Sequence, residues 1–325
     1  MKILPSYKKI SEEDFAQRLA RADEIIKKCT SCPRNCLVDR TNGELGTCQS
    51  RDLPIVSSYT PHFGEEPVLS GSRGAGNIFF GNCNLRCDYC QNFVISQNPK
   101  TEIRNEISNE RLADIMIELQ SKNCHNIGLV SPTHFTVPIL KSIKIAIDKG
   151  LILPIIYNSN GYDSVEMLKL YEDVIDIYLP DFKYTTNEIA RKYSDTSYYP
   201  EVAISALKRM YYQKGSSFQT DENGTAQNGI LIRHLVLPDH IEESKKVLGM
   251  IAEELSTGIH VSLMSQYHPI PYVNDDPSLN RPLYKSEYLR VAEYMEDLGF
   301  RNGWIQDMDS YLNYRPDFRK KNPFV

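Results

Sequence analysis

The sequence predicts an α/β fold, a partial (β/α)6 barrel of TIM-like form that follows a small cysteine-rich segment. Strand-like apolar runs alternate about six times with helix-like amphipathic runs, which is the pattern of a parallel sheet covered by helices. Polar clusters come after most of the strand-like runs, where parallel sheets of this kind place their ligands. The 325 residues are sufficient for one such barrel with an added segment.

The strands are predicted from short apolar runs that end at glycine or at polar residues. The first run is closed by Gly81, and a polar cluster containing His134 follows the second. The predicted strands cover residues 77–80, 127–130, 151–157, 174–179, 230–236 and 260–264.

The helices are predicted from apolar residues spaced three and four apart, as Leu112, Ile115, Met116 and Leu119 are. Gly150 is a stop signal after the third of these helices. The predicted helices cover residues 15–28, 111–120, 137–146, 164–171, 202–210, 243–255 and 287–298, and a surface loop is predicted over 213–228.

Composition and charge exclude several classes of protein. A net charge of −5 lacks the basic footprint of a general nucleic-acid binder. No apolar run approaches the roughly 20 residues that span a bilayer, and residues 1–20 have no apolar core of a secretory signal. We therefore expect a soluble, cytoplasmic protein without a nucleic-acid or membrane partner.

The eight cysteines need an explanation other than disulfides, because the cytoplasm keeps thiols reduced. Seven of them fall into two tight clusters, which indicates metal binding, and Cys124 stands alone as a structural residue. We predict three parts: an N-terminal helix with a cysteine-rich metal-binding segment (1–60), the barrel (61–310) and a C-terminal tail (311–325).

Cys83, Cys87 and Cys90 follow the first barrel strand with the spacing C-x3-C-x2-C. Three thiolates on one loop can bind three irons of a cubane cluster and leave the fourth iron open. A structural zinc site needs four ligands, and Asp88 is badly placed to be the fourth because it lies between two of the cysteines. The spacing therefore predicts a [4Fe–4S] cluster with one open iron.

This motif, with Tyr89 before its third cysteine, resembles that of the radical S-adenosylmethionine (SAM) superfamily. The resemblance extends from about Gly74 to about Trp304. It implies that the open iron binds the amino and carboxylate groups of SAM and that Tyr89 lies by the adenine. It also implies that SAM is cleaved to methionine and a 5′-deoxyadenosyl radical.

Segments after the later strands resemble those of pyruvate formate-lyase activating enzymes. Residues 158–161 resemble Asp-Thr-Asn-Gly, and residues 181–183 resemble Asp-x-Lys, in which the lysine reaches the SAM carboxylate. Arg233-His234 and Tyr267-His268 resemble Arg-Tyr and Tyr-His segments. The resemblance assigns cofactor contacts to Tyr89, Asn158, Asn160, Asp181, Lys183, Arg233 and His268, with Lys183 and Arg233 as catalytic residues.

One segment departs from the family pattern, and two of the assigned residues have a structural alternative. Residues 131–134 replace a Gly-Gly-Glu-like segment, so Thr133 or His134 would have to contact the SAM amino group. Lys183 beside Asp181 is alternatively an ordinary ion pair, and Arg233 alternatively neutralises an acid at the barrel mouth.

Cys29, Cys32, Cys36 and Cys48 form the N-terminal cluster with the spacing C-x2-C-x3-C-x11-C. Four thiolates satisfy one tetrahedral zinc or one complete auxiliary cluster, and spacing does not separate the two. A redox-active thiol pair is a third interpretation, less favoured than metal. The segment resembles that of pyruvate formate-lyase activating enzyme-like radical SAM proteins in which cysteines precede the core.

The resemblance implies an oxidoreductase or lyase that uses SAM and a [4Fe–4S] cluster. The first hypothesis is an activating enzyme that makes a glycyl radical in a partner enzyme. The second is radical modification of another protein, a peptide or a small molecule, and the third is a non-catalytic iron–sulfur or zinc protein. The chemistry implies a flavodoxin or ferredoxin as electron donor.

Overall fold

A single twisted sheet forms the centre of the computed structural model, which describes residues 3–308, 316–318, 320 and 322–324. The strands are β1 (Val56–His62), β2 (Ala75–Phe80), β3 (Ile127–Val130), β4 (Ile155–Ser159), β5 (Ile177–Pro180), β6 (Gln219–Thr220), β7 (Ala226–Leu235), β8 (His260–Met264) and β9 (Gly303–Ile305). Their order is β1-β2-β3-β4-β5-β7-β8-β9, with β6 beside β7.

The strands from β2 to β9 pair in parallel along this order, except for the β6–β7 hairpin, and β1 is antiparallel to β2. The sheet does not close, because β1 and β9 are its two edges. The predicted fold class, an α/β partial barrel, is therefore confirmed.

Helices cover the parallel strands, and several begin at a side-chain cap: Ser108 accepts a hydrogen bond from Arg111 N, and Ser164 from Met167 N. The helices are α1 (Glu12–Lys27), α2 (Pro67–Ser70), α3 (Phe93–Ser96), α4 (Pro99–Glu102), α5 (Asn109–Ser121), α6 (Thr136–Asp148), α7 (Val165–Leu170), α8 (Asn187–Ser194), α9 (Tyr199–Lys214), α10 (Ile241–Glu254) and α11 (Lys285–Asp297). Every described helix is too short or too polar to cross a bilayer.

Each predicted strand and helix overlaps an observed one, but the strands β1, β6 and β9 and the helices α2, α3, α4 and α8 were not predicted. The segment of β1 contains Pro61, which a strand tolerates at a sheet edge. The loop predicted over 213–228 is partly wrong, because it contains β6 and the start of β7. The tail predicted over 311–325 lies mostly outside the described residues, and the three domain limits stay a prediction.

Candidate functional site

The central cysteine loop directly follows β2, a strand in which every residue is buried. Asn82 begins the loop with a positive φ of 63°, which turns the chain away from the strand. Its amide Nδ2 donates to Gln49 O at 3.2 Å and to Ser50 Oγ at 3.1 Å. The loop therefore lies at the carboxyl edge of the sheet, and all eight cysteines of the chain are free thiols.

Each sulfur of the central loop has a polar partner. The contacts are Leu85 N and Asn160 Nδ2 to Cys83 Sγ (both 3.4 Å), Ser194 Oγ to Cys87 Sγ (3.0 Å) and Ser96 Oγ to Cys90 Sγ (3.3 Å). Donors of this kind stabilise a thiolate more than a thiol. The arrangement therefore suits sulfurs that are negatively charged when they bind a metal.

Burial raises the pKa of the Cys83 thiol to about 11 and that of the Cys87 thiol to about 12, although the charge of Lys183 acts in the opposite direction on both. Metal coordination deprotonates a thiol outright. Over the described ranges, no group of three or more histidine, cysteine or acidic side chains is arranged to hold a single metal ion. Three sulfurs on one loop, one buried and two half-buried, with polar partners around them fit a cubane cluster, whose ligands bind separate irons.

Lys183 and Asp181 form a half-buried ion pair at the end of β5, with Nζ 2.5 Å from Oδ2. Burial disfavours the charged lysine, but the charges of Asp181 and Cys87 hold the pKa of Lys183 well above its usual range. The ammonium group thus stays positive beside the sulfurs. The structure brings both predicted residues to the site, and their pairing is not that of a solvated surface.

Asn160 touches the central loop directly. Its Nδ2 also donates to Asn84 Oδ1 at 2.8 Å, and its Oδ1 accepts from Tyr162 N at 3.0 Å. Gly161 follows with φ +78°, and a Cβ there would lie 2.2 Å from Asp181 O. This turn needs glycine, and it fixes the amide of Asn160 against Cys83.

A cleft of about 400 Å³ opens beside the loop. Arg233 lies in its wall, with Nε 2.9 Å from Glu66 Oε1, and it also forms an ion pair with Glu65. Burial opposes ionisation of Glu65, but Arg233 lowers the pKa of that carboxyl to about 2. The cleft is also lined by Phe79, Gln91, Asn92, Val130, Asn158, Met264, Gln266, Trp304, Pro316 and Phe324, among others.

Glu65 and Glu66 were not found from the sequence. They lie in the glycine- and proline-rich stretch before β2, and Arg233 is 168 and 167 positions further along the chain. Two adjacent acidic residues in that stretch were a signal of a polar site. The sequence could not show that Arg233 is their partner, because the fold brings these distant residues together. Arg233 therefore has the neutralising role that the sequence left open, inside the cleft where a cofactor contact was predicted.

Thr133, in the segment 131–134, contacts a buried carboxylate. Thr133 Oγ1 donates to the buried Asp163 at 2.8 Å, and Tyr157 OH (2.9 Å) and Ser159 Oγ (2.5 Å) donate to the same carboxylate. Asp163 was not predicted from the sequence. The available signal was that it is an acidic residue shortly after the end of β4. Thr133 is therefore held by the barrel interior.

Tyr89 and His268 are both tied to the surroundings of the loop. The hydroxyl groups of Tyr89 and Tyr184 are 2.5 Å apart, and the two rings meet edge to face. His268 O accepts from Gln91 Nε2 at 2.9 Å, which joins the segment after β8 to the segment after Cys90. Both predicted residues thus lie beside the central loop.

The N-terminal cysteines lie together in a segment that packs against the central loop. Cys29, Cys32 and Cys48 are buried and Cys36 is half-buried, and the four line a small pocket. Two hydrogen bonds connect this segment to the central loop: Arg34 Nε to Asn84 O (2.9 Å) and Arg86 Nη2 to Thr47 O (3.1 Å).

Comparison with known proteins gives one family. Residues 77–213 match the model of the radical SAM superfamily. The uncharacterized protein MJ0674 of Methanocaldococcus jannaschii is 32% identical over 290 residues, which are 85% of this chain and 76% of MJ0674. MJ0808 of the same organism is 28% identical over 165 residues, and the match spans about half of each protein (46% and 47%).

Among solved structures, HydG, a maturase of the [FeFe]-hydrogenase, aligns with a TM-score of 0.51 and 13% identity. The alignment covers 94% of this chain and 67% of HydG. At this identity the likeness concerns the fold alone, and it agrees with the open parallel barrel described above.

Proposed function

Because the chain belongs to the radical SAM superfamily, we propose that it cleaves SAM reductively and uses the 5′-deoxyadenosyl radical to remove a hydrogen atom from a substrate in the cleft. One observation carries this proposal. Cys83, Cys87 and Cys90 are three free sulfurs on one loop at the carboxyl edge of the parallel sheet, and each has a polar partner.

These three cysteines would hold a [4Fe–4S] cluster. When bound, such a cluster with one open iron supplies the electron that breaks the SAM sulfonium bond. Residues of the chain itself would stabilise the bound cluster. Lys183 contributes a buried positive charge beside Cys87 that offsets the charge of the thiolates, and Asn160 fixes Cys83.

The cleft supplies what radical chemistry needs from a protein, which is a fixed substrate and little water. Phe79, Val130 and Met264 form apolar parts of its wall, and Phe324 packs against Phe79 with ring centroids 5.6 Å apart. Arg233 with Glu65 and Glu66 gives the wall a fixed, ion-paired polar side. Such a wall orients a polar substrate without leaving an uncompensated charge.

The finer proposal is that the substrate is a glycine of a partner enzyme, in which the radical is then stored. Its support is the resemblance of residues 158–161 and 181–183 to segments of pyruvate formate-lyase activating enzymes. A flavodoxin or ferredoxin would supply the electron in the cytoplasm. The alternative proposal is that the radical modifies another protein, a peptide or a small molecule. The test below distinguishes the two.

The test uses anaerobically reconstituted protein with SAM and dithionite, and it measures 5′-deoxyadenosine by chromatography. We expect multiple turnovers by the native chain and none by the variant C83A/C87A/C90A, whereas the C124A control keeps its activity because Cys124 lies away from the loop. Turnover by the triple variant would reject the central site. A glycyl radical signal in electron paramagnetic resonance with a candidate partner would support the finer proposal, and its absence with all candidates would favour the other substrates.

A further inference from the structure

The four N-terminal cysteines share their pocket with a histidine. His134 lines the same small pocket as Cys29, Cys32 and Cys48, and all four side chains are at least nine-tenths buried. The sequence predicts Thr133 or His134 as the contact to the SAM amino group. The structure places His134 in the wall of the cysteine pocket.

The proton of His134 is located by its hydrogen bond. Nε2 lies 2.9 Å from Gly81 O, and since a carbonyl oxygen only accepts, Nε2 must carry the hydrogen. In the neutral ring Nδ1 then has a lone pair, and no described residue gives this buried atom a hydrogen-bond partner. Metal-binding histidines have this arrangement, in which one nitrogen donates to a backbone carbonyl and the other binds the metal.

Five side chains are then available for four ligand positions, and Cys36 differs from the other four. It is half-buried, whereas Cys29, Cys32, Cys48 and His134 are buried. Cys29 also faces the buried guanidinium of Arg40 at 4.0 Å, which compensates negative charge in the pocket. Cys36 is the ligand candidate nearest to solvent, and it is therefore the one left out of the assignment.

The ligand set allows two kinds of metal centre. Three thiolates and one neutral imidazole can bind either one zinc or the irons of a cluster one by one. The adjoining central loop carries the cysteines of the proposed [4Fe–4S] cluster, and Arg34 and Arg86 connect that loop to this segment. The choice of a cluster therefore rests on the proposed function, and zinc is the competing outcome of the test.

We propose that Cys29, Cys32, Cys48 and His134 bind a second iron–sulfur cluster, with Nδ1 of His134 as its nitrogen ligand. Iron at this site can be measured whether or not the central loop cleaves SAM. The ring joins the two sites, because its Nε2 donates to the carbonyl of Gly81, next to the turn at Asn82 that starts the central loop.

The experiment uses the full chain, purified anaerobically, with the central site removed in C83A/C87A/C90A. We expect this variant to keep iron and sulfide and to give an electron paramagnetic resonance signal when dithionite reduces it. Pulsed spectra of that signal should show a directly bound ¹⁴N nucleus, which becomes ¹⁵N when the protein is grown with ¹⁵N-labelled histidine. The added change H134A should remove the nitrogen coupling.

Two cysteine substitutions added to C83A/C87A/C90A distinguish a proposed ligand from the cysteine that is not a ligand. C36S should keep its iron, whereas C32S should lose most of it. One zinc and no iron per chain, a spectrum that labelled histidine leaves unchanged, or equal iron loss in C36S and C32S would overturn the assignment. If the triple variant does not fold, the native chain labelled with ¹⁵N-histidine and kept without SAM gives the same readout, because the protein ligands proposed for the central cluster are cysteines and contain no histidine.

Discussion

The amide nitrogen of Asn160 lies 3.4 Å from the sulfur of Cys83, so the end of β4 contacts the first cysteine of the central loop. The two residues are 77 positions apart. The contact exists because parallel strands bring their carboxyl ends to one edge, and the turn at Gly161 presents the amide toward that edge. An N–H donor beside a cluster sulfur stabilises the thiolate charge.

Replacing Asn160 with aspartate tests this contact. N160D puts a carboxylate oxygen where the donor was, so we expect SAM cleavage to fall by about tenfold or more, since a hydrogen bond to a charged group is worth about 1.5–3 kcal/mol. The measurement is 5′-deoxyadenosine formation per bound iron. N302D, a change at an exposed asparagine, should leave the rate unchanged. An unaltered rate in N160D would mean that the amide only shapes the loop.

The parallel strands were readable from the sequence because each is a short buried apolar run, and Cys83, Cys87 and Cys90 were readable because their spacing is local. The edge strand β9 was not, since its residues are largely exposed and its pairing depends on Gly303, where a Cβ would lie 1.9 Å from Val261 O. The partners of Arg233 and the orientation of His134 could not be predicted from the sequence either. Both are set by packing between distant segments, which no local pattern records.

Variants of Lys183 and Asp181 should separate an effect on stability from an effect on activity. K183M leaves the half-buried carboxylate of Asp181 unpaired; this costs about 3–5 kcal/mol in a fully buried pair, so we expect a smaller loss here. We also expect K183M to abolish SAM cleavage, because the positive charge beside Cys87 is lost. The double variant D181N/K183M removes both charges, so its unfolding free energy should recover most of the loss while SAM cleavage does not return. Denaturant unfolding and product formation are measured on the same samples. Recovery of both quantities together would show that Lys183 has no role beyond neutralising Asp181.

Arg233 should control the pH dependence of stability through Glu65. In the native chain the pKa of Glu65 is about 2, below its usual 4.5. Its contribution to stability is therefore present above pH 4.5 and is lost as the pH falls toward 2. R233M removes the largest charge that lowers the pKa of Glu65 and leaves burial opposed only by Asn77 and His62, so this pKa should rise. The variant should therefore gain stability relative to the native chain as the pH falls from 7.5 to 5. The measurement is the melting temperature of both proteins across that pH range. If the melting temperatures of R233M and the native chain change in parallel with pH, Arg233 does not control the ionisation of Glu65.

Gly161 offers a test with a matched control. Gly161 and Gly150 both have positive φ (78° and 95°), but a Cβ at 161 would lie 2.2 Å from Asp181 O, whereas a Cβ at 150 meets nothing within 4 Å. G150A should therefore cost about 1 kcal/mol, the ordinary penalty of a left-handed non-glycine residue. G161A should cost clearly more, because backbone must move. Equal shifts in melting temperature would show that the turn at 161 is not tightly constrained.

Arg34 and Arg86 hold the N-terminal cysteine segment against the central loop, and this attachment is testable by limited proteolysis. Arg34 donates to Asn84 O and Asp195 O, and Arg86 donates to Thr47 O. R34M/R86M removes these bonds but keeps most of the apolar stems, so the segment should open more often while the barrel stays folded. We expect faster cleavage within residues 29–48 and an unchanged rate elsewhere, measured by mass spectrometry of the fragments. R104M, a change at an exposed arginine, is the control. Cleavage that stays slow in the double variant would mean that the buried cysteine pocket, rather than the two arginines, fixes the segment.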